Sequence, residues 1–78
     1  MPHVSIKMYP GRSEEKKKEM ASRITADIVA VAGCSADYVT VAIEEIDQDK
    51  WPEEVYRPEI MEKSGRLYKK PGYNPFKD

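Results

Sequence analysis

The feature that most constrains this chain is the segment from Glu14 to Ala32, which contains neither proline nor glycine. Its larger apolar residues recur at spacings of four, four and three: Met20, Ile24, Ile28 and Val31. That spacing is typical of the apolar face of an amphipathic helix. Ser13 suits the N-cap and Gly33 the C-terminal stop. Two acid-first pairs four residues apart favour the same helix: Glu14 with Lys18, and Glu19 with Arg23.

Strand-forming residues flank the predicted helix on both sides. Residues 3–9 alternate, with Val4, Ile6 and Met8 on one face, until Pro10-Gly11 ends the run. Residues 38–46 are rich in β-branched side chains and predict a second strand. Strand, crossover helix and strand form a βαβ unit with parallel strands and a right-handed crossover. The sequence therefore predicts an α+β fold with a two-stranded parallel sheet.

The remaining third of the chain gives weaker signals. Residues 47–52 predict a turn-rich loop that ends in Trp51-Pro52. Residues 56–59 could open a short helix, with Pro58 tolerated in its first turn. Residues 69–73 predict a turn, and residues 74–78 a frayed tail. We expect one domain over residues 1–78.

The small size of the chain predicts self-association. A domain of 78 residues buries only about 60–65% of its unfolded surface, and such a core rarely supplies more than roughly 3–5 kcal/mol. With one cysteine and one histidine, the chain has neither an intrachain disulfide nor a Cys/His metal cluster. Two strands also leave open sheet edges. A second copy pairing edge to edge would give a four-stranded sheet with both helices on one face.

The charge pattern argues against nucleic acid and membrane partners. Thirteen basic and 14 acidic residues give a net charge of −1, without the basic excess of a nucleic-acid binder. The run Lys16-Lys17-Lys18 is interpreted as a solvated helix face. Lys7 and Arg12 interrupt any signal-peptide core, and the apolar run Ile28 to Ala32 is too short to span a bilayer. Together with a single unpaired cysteine, this favours a cytoplasmic protein.

Pro2 is the first candidate for chemistry. Methionine is usually removed before a small second residue, and its removal would leave the secondary amine of Pro2 as the N-terminus. An unperturbed α-amino group has a pKa of about 7.7–8.0, so burial or a nearby cation could make it a general base near neutrality. The alternative is that Pro2 is simply a common second residue. For His3 we favour a structural or interface role, and Cys34 is interpreted as a loop thiol.

The ordered set of these features resembles the 4-oxalocrotonate tautomerase family over nearly the whole chain. The set comprises Pro2, a first strand that ends in Pro10-Gly11-Arg12-Ser13, the long helix, the second strand and Trp51. The closing Lys69-Lys70-Pro71-Gly72-Tyr73 is similar to the longer, dimeric PptA-type branch. The resemblance therefore implies a homo-oligomer, with a dimer favoured over a hexamer.

The resemblance implies a cofactor-free keto–enol isomerase in which the Pro2 amine moves the proton. Arg12 matches the position that binds a substrate carboxylate, and Trp51 matches an aromatic wall. The alternatives are a surface arginine and a core or interface tryptophan. Thr40 stands where the best-known members carry a second arginine, which implies a monoacid enol rather than a dicarboxylate.

We thus expect a tautomerase of a small unsaturated 2-hydroxy (enol) acid, with Pro2 catalytic and with Arg12, Trp51 and Thr40 binding substrate. No metal or other cofactor is expected. Two alternatives stay open. One is a non-catalytic homodimer that kept the fold, and the other is a related Pro2-dependent hydratase or decarboxylase.

Overall fold

The computed structural model describes residues 1–77, which form a first compact unit, Met1–Glu45, and a second unit that begins at Ile46. The first unit contains strand β1 (His3–Met8), helix α1 (Glu14–Ala32) and strand β2 (Thr40–Glu45). The second contains helix α2 (Pro52–Met61). The expectation of a single domain over residues 1–78 stays a prediction.

Strands β1 and β2 form a parallel two-stranded sheet, which confirms the βαβ prediction. His3 lies opposite Thr40 at one end of the ladder, and Met8 lies opposite Glu45 at the other. The alternating apolar residues form the half-buried face: Val4, Ile6, Val41 and Ile43. Residues of the opposite parity, such as His3 and Thr40, are exposed. The period of two therefore gives the sheet one covered and one open face in this unit.

Helix α1 begins and ends where its caps predict. The Ser13 hydroxyl accepts a hydrogen bond from the Lys16 backbone N–H at 3.2 Å. Gly33 adopts a left-handed conformation, with φ of 74°, and its N–H donates to the Val29 carbonyl at 3.1 Å. These bonds satisfy backbone groups that a helix end leaves without partners.

One predicted ion pair of α1 is wrong. Glu14 contacts Lys17 at 2.9 Å rather than Lys18, and the same Lys17 amine reaches Glu45 of β2 at 3.2 Å. The hydrogen bond to Glu14 is the main cause that raises the pKa of Lys17, and the bond to Glu45 adds to it. The preference for Lys17 follows from its second acceptor, because Lys17 lies on the side of α1 that faces the sheet. The Glu19–Arg23 pair is present.

The assignment of Val31 to the covered face is also wrong, since its side chain is 89% exposed. Met20, Ile24 and Ile28 are half-buried as expected. Helix α1 has 19 residues and measures roughly 28 Å, whereas a six-residue strand measures roughly 20 Å. The last turn of α1 therefore extends beyond the sheet that covers its earlier turns.

Strand β2 begins two residues later than predicted. The Ser35 hydroxyl accepts from the Asp37 N–H at 3.2 Å, and the Tyr38 N–H donates to the Ser35 carbonyl at 3.1 Å. These bonds close a 3₁₀ turn, Ala36–Tyr38, that delays the strand. Local side-chain bonds of this kind compete with strand pairing.

Helix α2 is longer than predicted and begins at Pro52 rather than near Tyr56. Pro52 lies in its first turn, where a missing N–H costs nothing. Pro58 lies inside the helix and not in its first turn. The helix has π-type hydrogen bonding, as in the bond from the Glu62 N–H to the Arg57 carbonyl at 3.0 Å. This wider winding accommodates a residue that cannot donate and whose ring would clash in an α-helix.

Tyr56 organises the contacts of the second unit. Val55 and Tyr56, each 4% exposed, are the buried hydrophobic side chains within residues 1–77. The Tyr56 hydroxyl donates to the Tyr73 carbonyl at 2.8 Å, and its ring meets those of Tyr73 and Phe76 edge to face. The Arg57 guanidinium lies 4.4 Å from the centre of the Phe76 ring. Of the tail predicted to fray, Asp78 lies outside the described residues.

No helix in the described part of the chain has the length and apolar character needed to cross a bilayer.

Replacing Gly33 should destabilise the protein although space is available. A Cβ at Gly33 would meet no atom within 4 Å, so the cost comes from its φ of 74° alone. Gly33→Ala should lower the free energy of unfolding by about 1–2 kcal/mol, measured by urea denaturation. Gly65→Ala is the matched control, because that site is equally open and has no positive φ. Equal stability of the two variants would contradict the assigned role of Gly33.

Candidate active site

Pro2 lies immediately before β1 and is half-buried. Its carbonyl oxygen accepts a hydrogen bond from the Thr40 N–H at 3.1 Å, which fixes it against the first residue of β2. Met1 is 95% exposed, so the bond between Met1 and Pro2 is accessible to a processing enzyme. The structure thus brings together two of the predicted site residues, Pro2 and Thr40.

Thr40 carries a side-chain contact that the sequence did not predict. His3 Nδ1 lies 2.6 Å from Thr40 Oγ1, across the first pair of the parallel ladder. Both residues belong to the exposed face of the sheet. The polar groups beside Pro2 are therefore a hydroxyl and the imidazole that bonds to it.

Arg12 lies between the end of β1 and the N-cap of α1, in an open cleft of about 240 Å³. The cleft is lined by Arg12, Lys16, Glu19, Met20 and Arg23. Glu19 and Arg23 pair with each other at 2.5 Å. Arg12 and Lys16 form no ion pair with any of residues 1–77. The cleft therefore presents two cationic groups that no acidic side chain neutralises, which suits an anionic ligand.

Pro2 and Arg12 lie at opposite ends of β1. Pro2 precedes the first residue of this six-residue strand, and Arg12 follows the last one by four residues. Six strand residues span roughly 20 Å, which is farther than an arginine side chain extends. Pro2 is not among the residues that line the Arg12 cleft of the same chain.

Trp51 belongs to the second unit and immediately precedes α2. Its indole Nε1 donates a hydrogen bond to the Tyr73 hydroxyl at 2.9 Å. A hydrogen-bonded indole N–H is usual for a tryptophan packed on one side. This contact agrees with a structural role for Trp51 in the second unit.

The sequence did not indicate that Lys16 lies beside Arg12 or that His3 bonds to Thr40. Lys16 is exposed, as expected of a solvated face, and it also lines the cleft of Arg12. Its position in the first turn of α1, shortly after Arg12, was the available signal. His3 was visible as the neighbour of Pro2, but its partner became clear only from the register. Residues 1–77 contain no group of three or more His, Cys, Asp or Glu side chains placed to share a metal ion.

The fold and the placement of Pro2 define a class: small α+β enzymes built on a βαβ unit with a proline ahead of the first strand. The family model described as "Tautomerase enzyme" matches residues 2–56. The chain therefore belongs to the tautomerase family, and its class of enzyme is that of the isomerases.

Two relatives support this assignment over almost the whole chain. A probable tautomerase of Xylella fastidiosa (strain 9a5c) is 40% identical over 73 residues, covering 94% of this chain and 89% of that protein. Tautomerase PptA of Pectobacterium carotovorum subsp. carotovorum (strain PC1) is 43% identical over 75 residues, covering 95% and 99%. The similarity to PptA confirms the predicted branch of the family.

Solved structures agree with the fold of the first unit. The crystal structure of YwhB, a homologue of 4-oxalocrotonate tautomerase, has a TM-score of 0.60 and 33% sequence identity. The similarity covers 62% of this chain and 79% of that one.

Proposed function

We propose that the protein is a cofactor-free tautomerase that converts a small 2-hydroxy enol acid into its keto form, with the amine of Pro2 as the base. The amine is released when Met1 is removed. It takes the proton from the 2-hydroxyl group, the oxygen electron pair forms the carbonyl, and the carbon–carbon double bond shifts. The protonated amine then returns a proton to carbon, so that no atom is gained or lost.

The observation that carries this proposal is the placement of Pro2. It is half-buried and hydrogen-bonded through its carbonyl to Thr40, so a released amine would start from a fixed position. Partial burial disfavours the charged form of an amine and lowers its pKa below the usual range of about 7.7–8.0. A lower pKa increases the fraction of the amine that is deprotonated, and therefore able to act as a base, at neutral pH. The family assignment makes proton transfer the expected chemistry.

We assign the carboxylate of the substrate to Arg12. The guanidinium offers paired donors in a plane, which match the two oxygens of a carboxylate. Within the described chain it has no acidic partner, and Lys16 adds a second positive charge to the same cleft. Thr40 beside Pro2 is neutral, so this end of the site offers hydrogen bonds but no cation. A substrate with one carboxylate fits this distribution of charge better than a dicarboxylate.

A site that uses both Pro2 and Arg12 needs two chains, because one chain holds them at opposite ends of β1. We propose a homodimer in which the sheet continues from one chain into its partner. Two further features support assembly. The sheet has only two strands, and just two hydrophobic side chains of residues 1–77 are buried. Trp51 is proposed to contact the substrate through its ring, and its loss should raise KM.

Removal of the Arg12 guanidinium should weaken catalysis without unfolding the protein. Arg12→Ala should lower kcat/KM for phenylenolpyruvate, a monoacid enol, by roughly 10- to 150-fold, because one charge-assisted contact is worth about 1.5–3 kcal/mol. The measurement is the loss of enol absorbance at several substrate concentrations. Thermal stability should change little, since Arg12 is exposed and makes no ion pair with residues 1–77.

Lys18→Ala is the matched control for Arg12→Ala. It removes one positive charge from the same end of α1 but from outside the cleft. Its kcat/KM should stay within about twofold of wild type, as expected for a screened surface charge. If both variants lose the same activity, the effect is one of net charge, and Arg12 does not bind the carboxylate.

A further inference from the structure

A short hydrogen bond joins the side chains of His3 and Thr40 in the first unit. The two residues open β1 and β2 and face each other across the ladder, with Nδ1 and Oγ1 2.6 Å apart. Thr40 also holds Pro2, through the backbone bond of 3.1 Å to the Pro2 carbonyl. A single residue thus connects the imidazole to the proposed catalytic position.

The direction of this bond decides what Thr40 can do. A hydroxyl has one hydrogen to donate and can also accept, whereas a neutral imidazole donates from one nitrogen and accepts at the other. If Nδ1 accepts, the Thr40 hydrogen points at His3 and only its oxygen faces a ligand. If Nδ1 carries the hydrogen and donates, Thr40 is left with its own hydrogen directed elsewhere.

We propose that His3 is a positioning residue, whose Nδ1–H donates to Thr40 Oγ1 and so turns the Thr40 hydroxyl into a hydrogen-bond donor toward a substrate oxygen beside Pro2. The proposal rests on the proposed function and adds to it a residue that orients the hydrogen-bond donor for this substrate oxygen. The oxygen is the one that loses its proton to the Pro2 amine. It becomes negative as that proton leaves, and a donor aimed at it stabilises the developing charge.

The chemistry of Thr40 favours this direction. An enol oxygen that gives up its proton needs a donor nearby, and a hydroxyl committed to His3 could only accept. In the proposed arrangement the hydrogen of the enol goes to the Pro2 nitrogen, and the hydrogen of Thr40 stays on Thr40 throughout. The other polar residues on this face, Ser5, Lys7 and Glu44, lie two or more positions farther along the strands. Thr40 is therefore the side-chain hydroxyl placed next to Pro2.

The tautomer of His3 can be measured directly, because the chain contains one histidine. In a long-range ¹H–¹⁵N spectrum of the processed protein, recorded where the ring is neutral, Nδ1 should show the shift of a protonated nitrogen and Nε2 that of a bare one. Thr40→Val removes the acceptor and should abolish this preference. An Nε2-protonated ring in the wild-type protein would overturn the proposed direction, whatever the enzyme's activity.

A double-mutant cycle tests whether the contact acts in catalysis. His3→Ala and Thr40→Val should each lower kcat for phenylenolpyruvate by roughly 2- to 12-fold, the range expected for one hydrogen bond, with a smaller effect on KM. Combining them should cost no more than Thr40→Val alone, since His3 is argued to act only through Thr40. His3→Asn places an amide N–H near the position of Nδ1 and should restore most of the lost rate.

The control variant is Ser5→Ala, which changes the next outward-facing residue of β1 and should leave kcat within about twofold. Multiplicative losses in the double variant would assign His3 and Thr40 independent roles and overturn the positioning role. If the processed wild-type protein does not turn over the enol, the proposed function fails and the catalytic role of the pair fails with it. Turnover without coupling between His3 and Thr40 rejects the pair alone.

Discussion

Protein that retains Met1 should convert phenylenolpyruvate roughly 10²- to 10⁴-fold more slowly than the processed protein, the contribution expected of a positioned base. With Met1 attached, the Pro2 nitrogen is part of a tertiary amide, which has no lone pair available for a proton. Every other residue of the site is unchanged. Both forms come from one gene if processing is blocked in the expression host, and intact mass distinguishes them.

The matched control is enzymatic removal of Met1 from the inactive form. Treatment with methionine aminopeptidase should restore the activity, because the two samples then have the same sequence. If the form that retains Met1 turns over the enol as fast as the processed form, the amine is not the base and the tautomerase mechanism is wrong. If neither form is active while both are folded, a non-catalytic protein or a different reaction of Pro2 is indicated.

The processed and the Met1-retaining protein should also differ in how kcat/KM depends on pH. A base acts when deprotonated, so kcat/KM of the processed protein should rise with pH through the pKa of the Pro2 amine and then level off. Because partial burial disfavours the charged form of an amine, we expect the midpoint to lie below the unperturbed range of about 7.7–8.0. The residual kcat/KM of the Met1-retaining form should not show this rise with pH.

The sequence was most informative where several local signals agree. Helix α1 was predicted with its correct ends because Ser13, a segment free of proline and glycine, and Gly33 all indicate the same boundaries. The parallel sheet followed from the alternation of residues 3–9 and from the length of the crossover. The ends of the helix depend on interactions within a few residues, and the parallel pairing depends on the order of the elements along the chain, so both can be predicted from the sequence.

Errors arose where contacts distant in sequence decide the outcome. Lys17 rather than Lys18 binds Glu14 because Glu45 of β2 offers a second carboxylate. Val31 is exposed because the helix is longer than the strands beside it, a comparison between elements. Helix α2 was mispredicted because proline is expected to interrupt an α-helix, whereas π-type winding tolerates Pro58. None of these causes is visible in the local pattern.

The candidate site could also be predicted only in part from the sequence. Pro2, Arg12 and Thr40 could be selected by residue type and position, and the structure places Thr40 against Pro2. The sequence also placed Pro2 before the first strand and Arg12 after it, and the structure gives that strand six residues. This separation supports the proposal that the site combines residues of two chains.

If the site is shared between chains, two impaired variants should restore activity when their chains are mixed. The first is the Met1-retaining form, which has Arg12 but no base, and the second is processed Arg12→Ala, which has the base but no guanidinium. Equal amounts, unfolded together and refolded, should recover about a quarter of the wild-type activity, because random assembly gives one site in four an intact Pro2 and an intact Arg12. The fraction is the same for a dimer and a larger ring, and sedimentation of the mixture distinguishes the two.

The outcome separates a shared site from a site within one chain. If Pro2 and Arg12 of the same chain act together, no mixed assembly contains a complete site, and the mixture should show the mean of its two components. A Met1-retaining chain that also carries Arg12→Ala is the control partner, because refolding it with processed Arg12→Ala restores no guanidinium and should give no gain. Recovery with the first partner and none with the second would place the Arg12 of one chain at the Pro2 of another, as we propose from the separation of the two residues along β1.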